Sequence, residues 1–486
     1  MSLFGLGLGR AMAYATQIAL ARMYGPTQLG FYALGLTVAF ITTELARFGL
    51  DLPVVRFVAQ YQANNDVSRV RGTILLTLWV SFILGLALSI AMFLGAGFLA
   101  DRVFDKPAAE PVFRAFSLSV PFFTVLGMAA SATEGFQTVK YSIRAREVLQ
   151  PLLNFVLILF FYLLGAQVLG AVAAYVIAMA VASALALYYL KRLFPGLLDR
   201  NTPPVFERRA VFGLSGVGLL SYFTEHVNVW AATIVLGIFA SAEQVGIYNA
   251  AARTALIGGI VYQAFTYIFS PIISNHYSRG LLRDLEDLYR DVCRWIFSGG
   301  VVVFFLTVLL SRDILVIFGE EFVDGWLVMD MIALAILFAL SVGATNRVLL
   351  MTGHQRIYIL AFTVATVVGI VGSIVLVPIY GILGAALACA TSYVIPNVVT
   401  VVGVRNVLNL WPYSRQYLKP LIAGLSAAAV AFTVRGLLPL STGLLTILVL
   451  APIFLIGFTV MLLSLGLNAS DRQFLKAIWM AVRRAG

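Results

Sequence analysis

The feature that most constrains this chain is a series of long apolar runs that recur along its whole length. Each has about 18 residues or more, enough for a helix to cross the ~30 Å hydrocarbon core of a bilayer. The runs are continuous rather than alternating, and this pattern predicts helices rather than a closed barrel. Hydrophobic residues make up 61% of the 486 residues and charged residues 11%, against about 45–50% and 25% in soluble domains. The sequence therefore predicts an all-α polytopic membrane protein.

We identify fourteen candidate transmembrane helices. The first lacks a basic leader and a small-residue cleavage site and carries Arg10 in its middle, so we interpret it as a retained helix rather than a signal peptide. The predicted segments are 4–24, 30–50, 74–100, 114–136, 146–166, 168–190, 211–238, 246–271, 292–311, 327–351, 357–380, 382–404, 417–437 and 443–467.

The formal net charge of +11 is distributed unevenly between the loops. With the N-terminus placed in the cytoplasm, 23 Lys and Arg residues fall on the cytoplasmic side and six on the outer side. This imbalance fits the positive-inside rule and predicts a multi-pass protein of the cytoplasmic membrane with both termini in the cytoplasm. It argues for membrane orientation and against nucleic acid as a partner. The amphipathic stretches 280–294 and 471–486 are predicted to lie on the membrane surface.

One short motif occurs twice, as GPTQLGFYALG at 25–35 and SAEQVGIYNAA at 241–251. LGAVAAY at 169–175 recurs as LGAALAC at 383–389 at a similar offset, so helices 1–6 match helices 7–12. Six is an even number, which predicts a parallel repeat of two six-helix lobes that work by alternating access. The predicted divisions are an N-lobe (1–190), a cytoplasmic linker (191–210), a C-lobe (211–407), and helices 13 and 14 with a cytoplasmic tail (408–486).

Four motifs in order resemble a known family: LARMYGPTQLGFYAL (20–34), LGAVAAYVIA (169–178), VGIYNAAARTA (245–255) and GILGAALA (381–388). Over nearly the whole chain the sequence resembles the polysaccharide transporters, or oligosaccharide flippases, of the multidrug/oligosaccharidyl-lipid/polysaccharide exporter superfamily. The resemblance implies a flippase that moves a polyprenyl-diphosphate-linked oligosaccharide from the cytoplasmic to the outer leaflet. It also implies that helices 1, 2, 7 and 8 line a central cavity. Expected partners are the lipid-linked glycan and membrane lipids, with glycan polymerase or glycosyltransferase machinery as candidates.

Four arginines lie inside predicted helices: Arg10, Arg47, Arg253 and Arg347. An arginine at mid-membrane costs at least ~2.5–3.5 kcal/mol, and its guanidinium can bind phosphate oxygens with two donors, so all four are candidate substrate-binding residues. Arg253 is the deepest. The Arg10 side chain can instead extend to the inner interface of the membrane. We interpret Arg347 as an anchor at the membrane interface. Arg47 follows Glu44 by three positions, so a structural ion pair is an equal alternative.

A second candidate group lies in predicted helix 7. Glu225 and His226, with Asn228 close by, could bind a coupling proton or cation, and Glu225 is equally explained as a counter-ion for an arginine. Many members of the resembled family carry a carboxylate before the Leu-Gly of this helix, but AATIVLG at 231–237 has none. The ion-coupling role is therefore an open alternative.

Other classes of function have weaker support. Cys293 and Cys389 are far apart and the three histidines are scattered, so neither a disulfide framework nor a metal site is predicted. GLGLGR at 5–10 follows no strand, and close helix packing explains it better than nucleotide binding. We expect no cofactor and no catalytic residues.

Two alternatives to a flippase remain at this stage. The first is a cation-coupled antiporter of drugs or other small molecules from the same superfamily. The second is a membrane enzyme that polymerises or ligates lipid-linked glycans. Such an enzyme needs a long outer loop, and the longest here, around 101–113, is too short for one.

Overall fold

The computed structural model describes residues 2–199, 202–438, 443–466, 468 and 470–472, apart from the side chains of 2–4, 6, 198, 220–229, 264, 267 and 268. Throughout these residues the ordered elements are helices, which confirms the predicted all-α membrane fold. The α-helices of seven residues or more in the first part of the chain are α1 (Ser2–Arg47), α2 (Asp51–Ala63), α3 (Val67–Leu94), α4 (Glu110–Ser117), α5 (Val120–Gly135), α6 (Gln150–Leu163), α7 (Val168–Leu193) and α8 (Arg208–Phe239).

The second part of the chain continues in the same way. Its α-helices of seven residues or more are α9 (Ala242–Leu256), α10 (Ile260–Ser278), α11 (Leu282–Phe318), α12 (Trp326–Val342), α13 (Thr345–Met351), α14 (Gln355–Tyr380), α15 (Ile382–Leu408), α16 (Leu418–Leu437) and α17 (Leu444–Ser464). Short 3₁₀ and π turns connect several of them, including the π turn Ile143–Leu149 before α6.

Ten helices among the described residues are long and apolar enough to cross a membrane, and eleven if α4 and α5, bent by 42°, count as one broken span. The number fourteen therefore stays a prediction. Part of the difference lies in α1, which runs through both of the first two predicted segments. It kinks at Gly25, where φ is 72°, a conformation that glycine adopts at no steric cost. Pro26 then starts the next helical stretch with its φ already fixed.

The amphipathic stretch 280–294 is not a helix of its own but joins the span that follows it, and its place on the membrane surface stays a prediction. Gly280 turns the chain at a φ of 71°, and the helix then continues unbroken from Leu282 to Phe318. Leu285 and Tyr289 are already buried. Because the apolar spacing of the stretch stays in register with the span, its first turns pack as part of one helix. The residues of the predicted surface helix 471–486 beyond Arg472 lie outside the described part of the chain.

The helices form two compact units. The first contains Met1–Asn249 with Val377–Ile382, and its fully buried core includes Phe113 and Phe116. The second contains Ala250–Leu376 with Leu383–Gly486, and Tyr289 and Phe318 are among its largest buried side chains. The predicted lobe limits are untested by this division and stay a prediction.

The segment predicted as a linker is held against α3. The Val205 amide donates to the Ser68 carbonyl at 3.0 Å, and Arg71 donates to the carbonyls of Leu197, at 3.1 Å, and Thr202. A Cβ on Gly72 would overlap the Val205 carbonyl. The described residues between α7 and α8 are thus packed along the start of α3 rather than loosely tethered.

Candidate functional site

The two copies of the repeated motif meet each other in the structure. A Cβ on Gly30 would overlap the Ala242 carbonyl oxygen, and a Cβ on Gly246 would overlap the Pro26 carbonyl oxygen. Pro26 and Ala242 occupy matching positions in the repeat, as do Gly30 and Gly246. Each copy therefore makes the same contact with the other, which is the pattern of a two-fold related contact. We call the contact of Pro26–Gly30 with Ala242–Gly246 the glycine crossing.

The glycine crossing depends on the lack of a side chain at Gly30 and Gly246. Small residues allow helix backbones to approach closely in membrane proteins, where apolar side chains gain little by leaving lipid. The flanking residues are buried on both sides, including Leu29 and Val245. The sequence repeat showed that both glycines are present. It carried no signal that they face each other.

A buried side chain ties α1 to α9 beside the glycine crossing. Gln17 Nε2 donates to the Asn249 carbonyl at 3.2 Å, a contact between residues 232 positions apart. Arg10 lies two helical turns before Gln17 on the same face of α1, and its side chain is exposed. Sequence reasoning missed Gln17, although a glutamine within an apolar run is a signal that could have identified it.

Lys106 joins the loop after α3 to the end of α8. Its Nζ donates to the Gly237 carbonyl at 2.6 Å and to the Phe104 carbonyl at 2.9 Å. Carbonyls in the last turn of a helix lack intrahelical donors, and a cation there also interacts favourably with the helix dipole. Burial lowers the pKa of Lys106, and nearby Asp105 partly opposes that effect.

A second close approach joins the end of α1 to α8. Gly49, with a φ of 66°, has no room for a Cβ beside the Ser215 carbonyl and the Leu219 amide. A Cβ on Gly218 would in turn overlap the Gly49 carbonyl. The segment from Gly30 to Gly49 therefore packs tightly against the second half of the repeat at both ends.

Arg253 is the first exposed residue after a buried stretch of α9. Residues 245–252 are all buried, whereas Arg253 is exposed. It lies one helical turn after Asn249 and interacts with other groups of the protein. The helix ends three residues later at Leu256. The structure thus places this arginine as one exposed side chain between buried residues of α9, because Thr254 and Ala255 after it are buried again.

Arg47 is buried in a network of polar groups. Its Nη1 donates to Glu44 at 2.7 Å, the pair that the sequence spacing indicated, and its Nη2 pairs with Asp51. Ser131 of α5 donates to the same Asp51 carboxylate at 2.9 Å. The guanidinium also lies against Gly127, where a Cβ would come within 2.8 Å of Nε. These contacts favour the structural alternative for Arg47.

Arg347 lies after a break in the predicted tenth span. Gly343, at a φ of 60°, separates α12 from α13. Arg347 and Asn346 both hydrogen-bond to the Tyr262 hydroxyl of α10. The Arg347 Nε and Asn346 Oδ1 atoms are buried and have no hydrogen-bond partner among the residues that the structure describes. Arg347 is therefore part of a polar cluster between α10 and α13.

The side chains of Glu225, His226 and Asn228 lie outside the described residues, although the backbone there is helical. The structure shows two carboxylates that sequence reasoning did not single out. Asp313 is fully buried and pairs with Arg435 at 2.9 Å. Asp330 hydrogen-bonds to Ser311. A scan for charges within apolar runs could have found Asp330, whereas Asp313 lies just past a predicted span. Among the residues described, no three His, Cys, Asp or Glu side chains cluster to hold a metal ion.

These features define the class of protein: a multi-pass helical membrane protein built around an internal repeat. Its fold is that of a solved structure described as the lipid II flippase MurJ in an inward closed conformation. The two superpose with a TM-score of 0.76 at 13% identity, over 95% of this chain and 97% of the other. A multidrug resistance MATE family transporter of the MOP superfamily in an inward-facing conformation shares the fold, with a TM-score of 0.73 at 17% identity over 84% and 98%.

The chain belongs to the polysaccharide biosynthesis protein family, whose model matches residues 2–276. Stage V sporulation protein B of Bacillus subtilis (strain 168) is 22% identical over 442 residues, 84% of this chain and 83% of that protein. The probable flippase AglR of Haloferax volcanii is 27% identical over 257 residues, 50% of this chain and 52% of that protein. The resemblance drawn from the sequence motifs is confirmed.

Proposed function

We propose that this protein is a flippase that carries a polyprenyl-diphosphate-linked oligosaccharide from the cytoplasmic to the outer leaflet of the cytoplasmic membrane by alternating access. The observation that carries the proposal is the family match over residues 2–276, and similarity to proteins named as flippases supports it. The bias of basic residues supports cytoplasmic termini. A membrane-embedded carrier rather than an enzyme accounts best for these features.

The proposed substrate-binding residues differ in how exposed their side chains are. Arg47 is neutralised by Glu44 and Asp51, so its proposed role is to hold α1, α2 and α5 together. Arg347 is tied to Tyr262 and is a secondary candidate. Arg10 and Arg253 are exposed, and we assign them the binding of the diphosphate. A guanidinium presents two parallel N–H donors to a phosphate, which an ammonium cannot do.

The test is flipping of a fluorescent polyprenyl-diphosphate disaccharide by purified protein in liposomes. Arg253→Ala should lower the initial rate at least about tenfold, because a hydrogen bond to a charged group contributes about 1.5–3 kcal/mol. Arg253→Lys should recover only part of the rate. Arg283→Ala, which removes an exposed arginine at the start of α11, is the matched control and should flip at the wild-type rate.

Two outcomes would change the proposal. A wild-type rate for the Arg253→Ala protein would remove Arg253 from the binding site and leave Arg10 as the main candidate. Absence of flipping by the wild-type protein, together with accumulation of cationic drugs driven by a proton or sodium gradient, would favour the antiporter alternative. That alternative needs an ion-binding carboxylate, for which Glu225 is the candidate.

A further inference from the structure

A groove of about 590 Å³ lies between α11 and α16, within the second unit. One wall is a single face of α11, made by Phe305, Val308, Leu309 and Arg312. Their spacing of three, one and three positions places all four on one side of a helix. This wall is apolar up to Leu309, and the α11 side of the groove ends at Ser311 and Arg312.

The opposite wall repeats the arrangement. It is formed by Leu425, Ala428, Ala429, Phe432 and Arg435 of α16, again at the spacing of one helix face. Phe432 is 70% exposed and Leu425 is 54% exposed, so the wall is open to the surroundings of the protein. The small side chains of Ala428 and Ala429 leave the groove open between the larger side chains of Leu425 and Phe432. This wall also ends in an arginine, so two guanidinium groups lie at the same end of the groove.

The rim of the groove is an ordered polar structure. The Arg312 guanidinium stacks on the Trp326 ring at 4.6 Å and is exposed. Arg435 uses its Nη1 atom to reach the Leu309 carbonyl at 2.8 Å and the Asp313 carboxylate at 2.9 Å. Asp313 also accepts from the Gly443 amide at 3.1 Å. Tryptophan and arginine together are typical of the level where hydrocarbon meets headgroups.

Two carboxylates near the rim limit its positive charge. Asp313 balances Arg435, and Asp330 interacts electrostatically with Arg312. Neither carboxylate lines the groove. Arg312 forms no ion pair within the described part of the chain, so it is the cation most accessible to an incoming anion.

The length of the groove matches one leaflet. From Leu425 to Arg435 is ten residues, about 15 Å of helix, and half of a ~30 Å hydrocarbon core is about 15 Å. We propose that this groove binds one anionic phospholipid, with an acyl chain between α11 and α16 and the phosphate at Arg312 and Arg435. Under the proposed orientation, this lipid belongs to the outer leaflet. It is a resident lipid and is distinct from the transported glycan.

The proposal is tested by native mass spectrometry of the purified full-length protein in detergent. The protein is titrated with dioleoyl phosphatidylglycerol and, separately, with dioleoyl phosphatidylcholine. One phosphatidylglycerol should bind at least about tenfold more tightly than phosphatidylcholine, the factor that one charged hydrogen bond contributes. Arg312→Gln should remove most of this preference, and Ala429→Phe should fill the groove and abolish the single-site binding.

Two controls match these variants. Val430→Phe adds the same bulk to the next residue of α16, which is exposed and does not line the groove. Arg114→Gln removes another exposed arginine that stacks on an aromatic ring, that of Phe93. Both should bind phosphatidylglycerol as the wild type does. Equal binding of the two lipids by the wild-type protein, or an unchanged preference in Arg312→Gln, would overturn the proposal. The measurement uses no glycan, so its result is independent of flipping.

Discussion

At the residue scale, Arg47 shows how this fold accommodates a charge within an apolar helix. An isolated arginine is costly there, but Glu44 and Asp51 pair with it and Ser131 supports Asp51. Removing one partner of a buried ion pair is costly, because the other charge is left uncompensated. The network joins the end of α1 to α2 and α5, which explains a buried arginine without a ligand.

The glycine crossing makes the most specific prediction at this scale. Gly246→Ala should lower the stability of the protein by about 1–3 kcal/mol, the usual cost of overpacking, because its Cβ would overlap the Pro26 carbonyl. Alanine gains up to about 1 kcal/mol in helix propensity over glycine, so the net loss is smaller than the packing cost. The measurement is thermal unfolding of the purified protein in detergent.

Gly213→Ala is the matched control, because a Cβ on this helical glycine would meet nothing within 4 Å. It should leave stability unchanged or raise it slightly. Gly30→Ala should behave like Gly246→Ala, and the double variant should lose less than the sum of the two, because both separate the same pair of backbones. Gly246→Ala and Gly213→Ala proteins that unfold at the same temperature would show that the crossing tolerates a methyl group.

At the scale of elements, the chain after α17 is attached to α11. Asp471 accepts from Arg294 at 2.9 Å and from the Trp295 indole, also at 2.9 Å. Asp291 also pairs with Arg294, at 2.8 Å. Burial acts to raise the pKa of Asp471, but the hydrogen bonds from Arg294, Trp295 and the Asn468 amide outweigh it and lower this pKa below its ordinary value of 3.8. The folded state therefore favours the carboxylate.

The sign of this shift gives a prediction about acid. A lowered folded-state pKa stabilises the protein above the ordinary value of 3.8, and this stabilisation is lost as pH falls through the lowered pKa. Asp471→Asn should therefore cost about 1–3 kcal/mol near neutral pH, and its difference from wild type should shrink below pH 3.8. Thermal unfolding across a pH series measures both. Asp287→Asn, an exposed change on the same helix α11, should match wild type at every pH. A constant difference down to the lowest pH would contradict the assigned cause.

At the scale of the whole molecule, the open question is the energy source. The sequence contains no nucleotide-binding motif of the kind that cradles ATP phosphates, so we propose that gradients drive transport. An anion leaving a cell that is negative inside gains about 2.3 kcal/mol per charge per 100 mV. A diphosphate with two charges releases about 4.6 kcal/mol per 100 mV by the same relation, unless a cation travels with it.

Flipping in liposomes without ATP should therefore accelerate when a potassium gradient with valinomycin makes the compartment that supplies substrate negative. Glu225→Gln should change the dependence of flipping on pH or sodium, because Glu225 and His226 are the proposed cation or proton site. Glu243→Gln, an exposed change at the start of α9, is the control. A purified protein that flips only with ATP would refute the gradient mechanism. If Glu225→Gln leaves the dependence of flipping on pH and sodium unchanged, Glu225 is better explained as the partner of an arginine.

The sequence by itself determined the features that depend on local chemistry. Lipid cannot hydrogen-bond to the backbone, so long apolar runs had to be helices, and the fold class followed. The family resemblance followed from motif order, and the Glu44–Arg47 pair followed from the spacing of one helix face. The ends of the helices did not follow from these patterns. Gly25 kinks α1 without ending it. The amphipathic stretch 280–294 continues into the span as part of α11.

Only the tertiary structure decided which distant residues meet. Gln17 contacts Asn249, Asp471 contacts Arg294, and Asp313 contacts Arg435 across separations of more than 100 residues. The repeated motif showed that Gly30 and Gly246 occupy matching positions, but their mutual contact depends on how two helices cross. Hydrophobicity and helical periodicity are properties of neighbouring residues, whereas these contacts arise when complementary surfaces pack in three dimensions. No pattern within one segment specifies its partner.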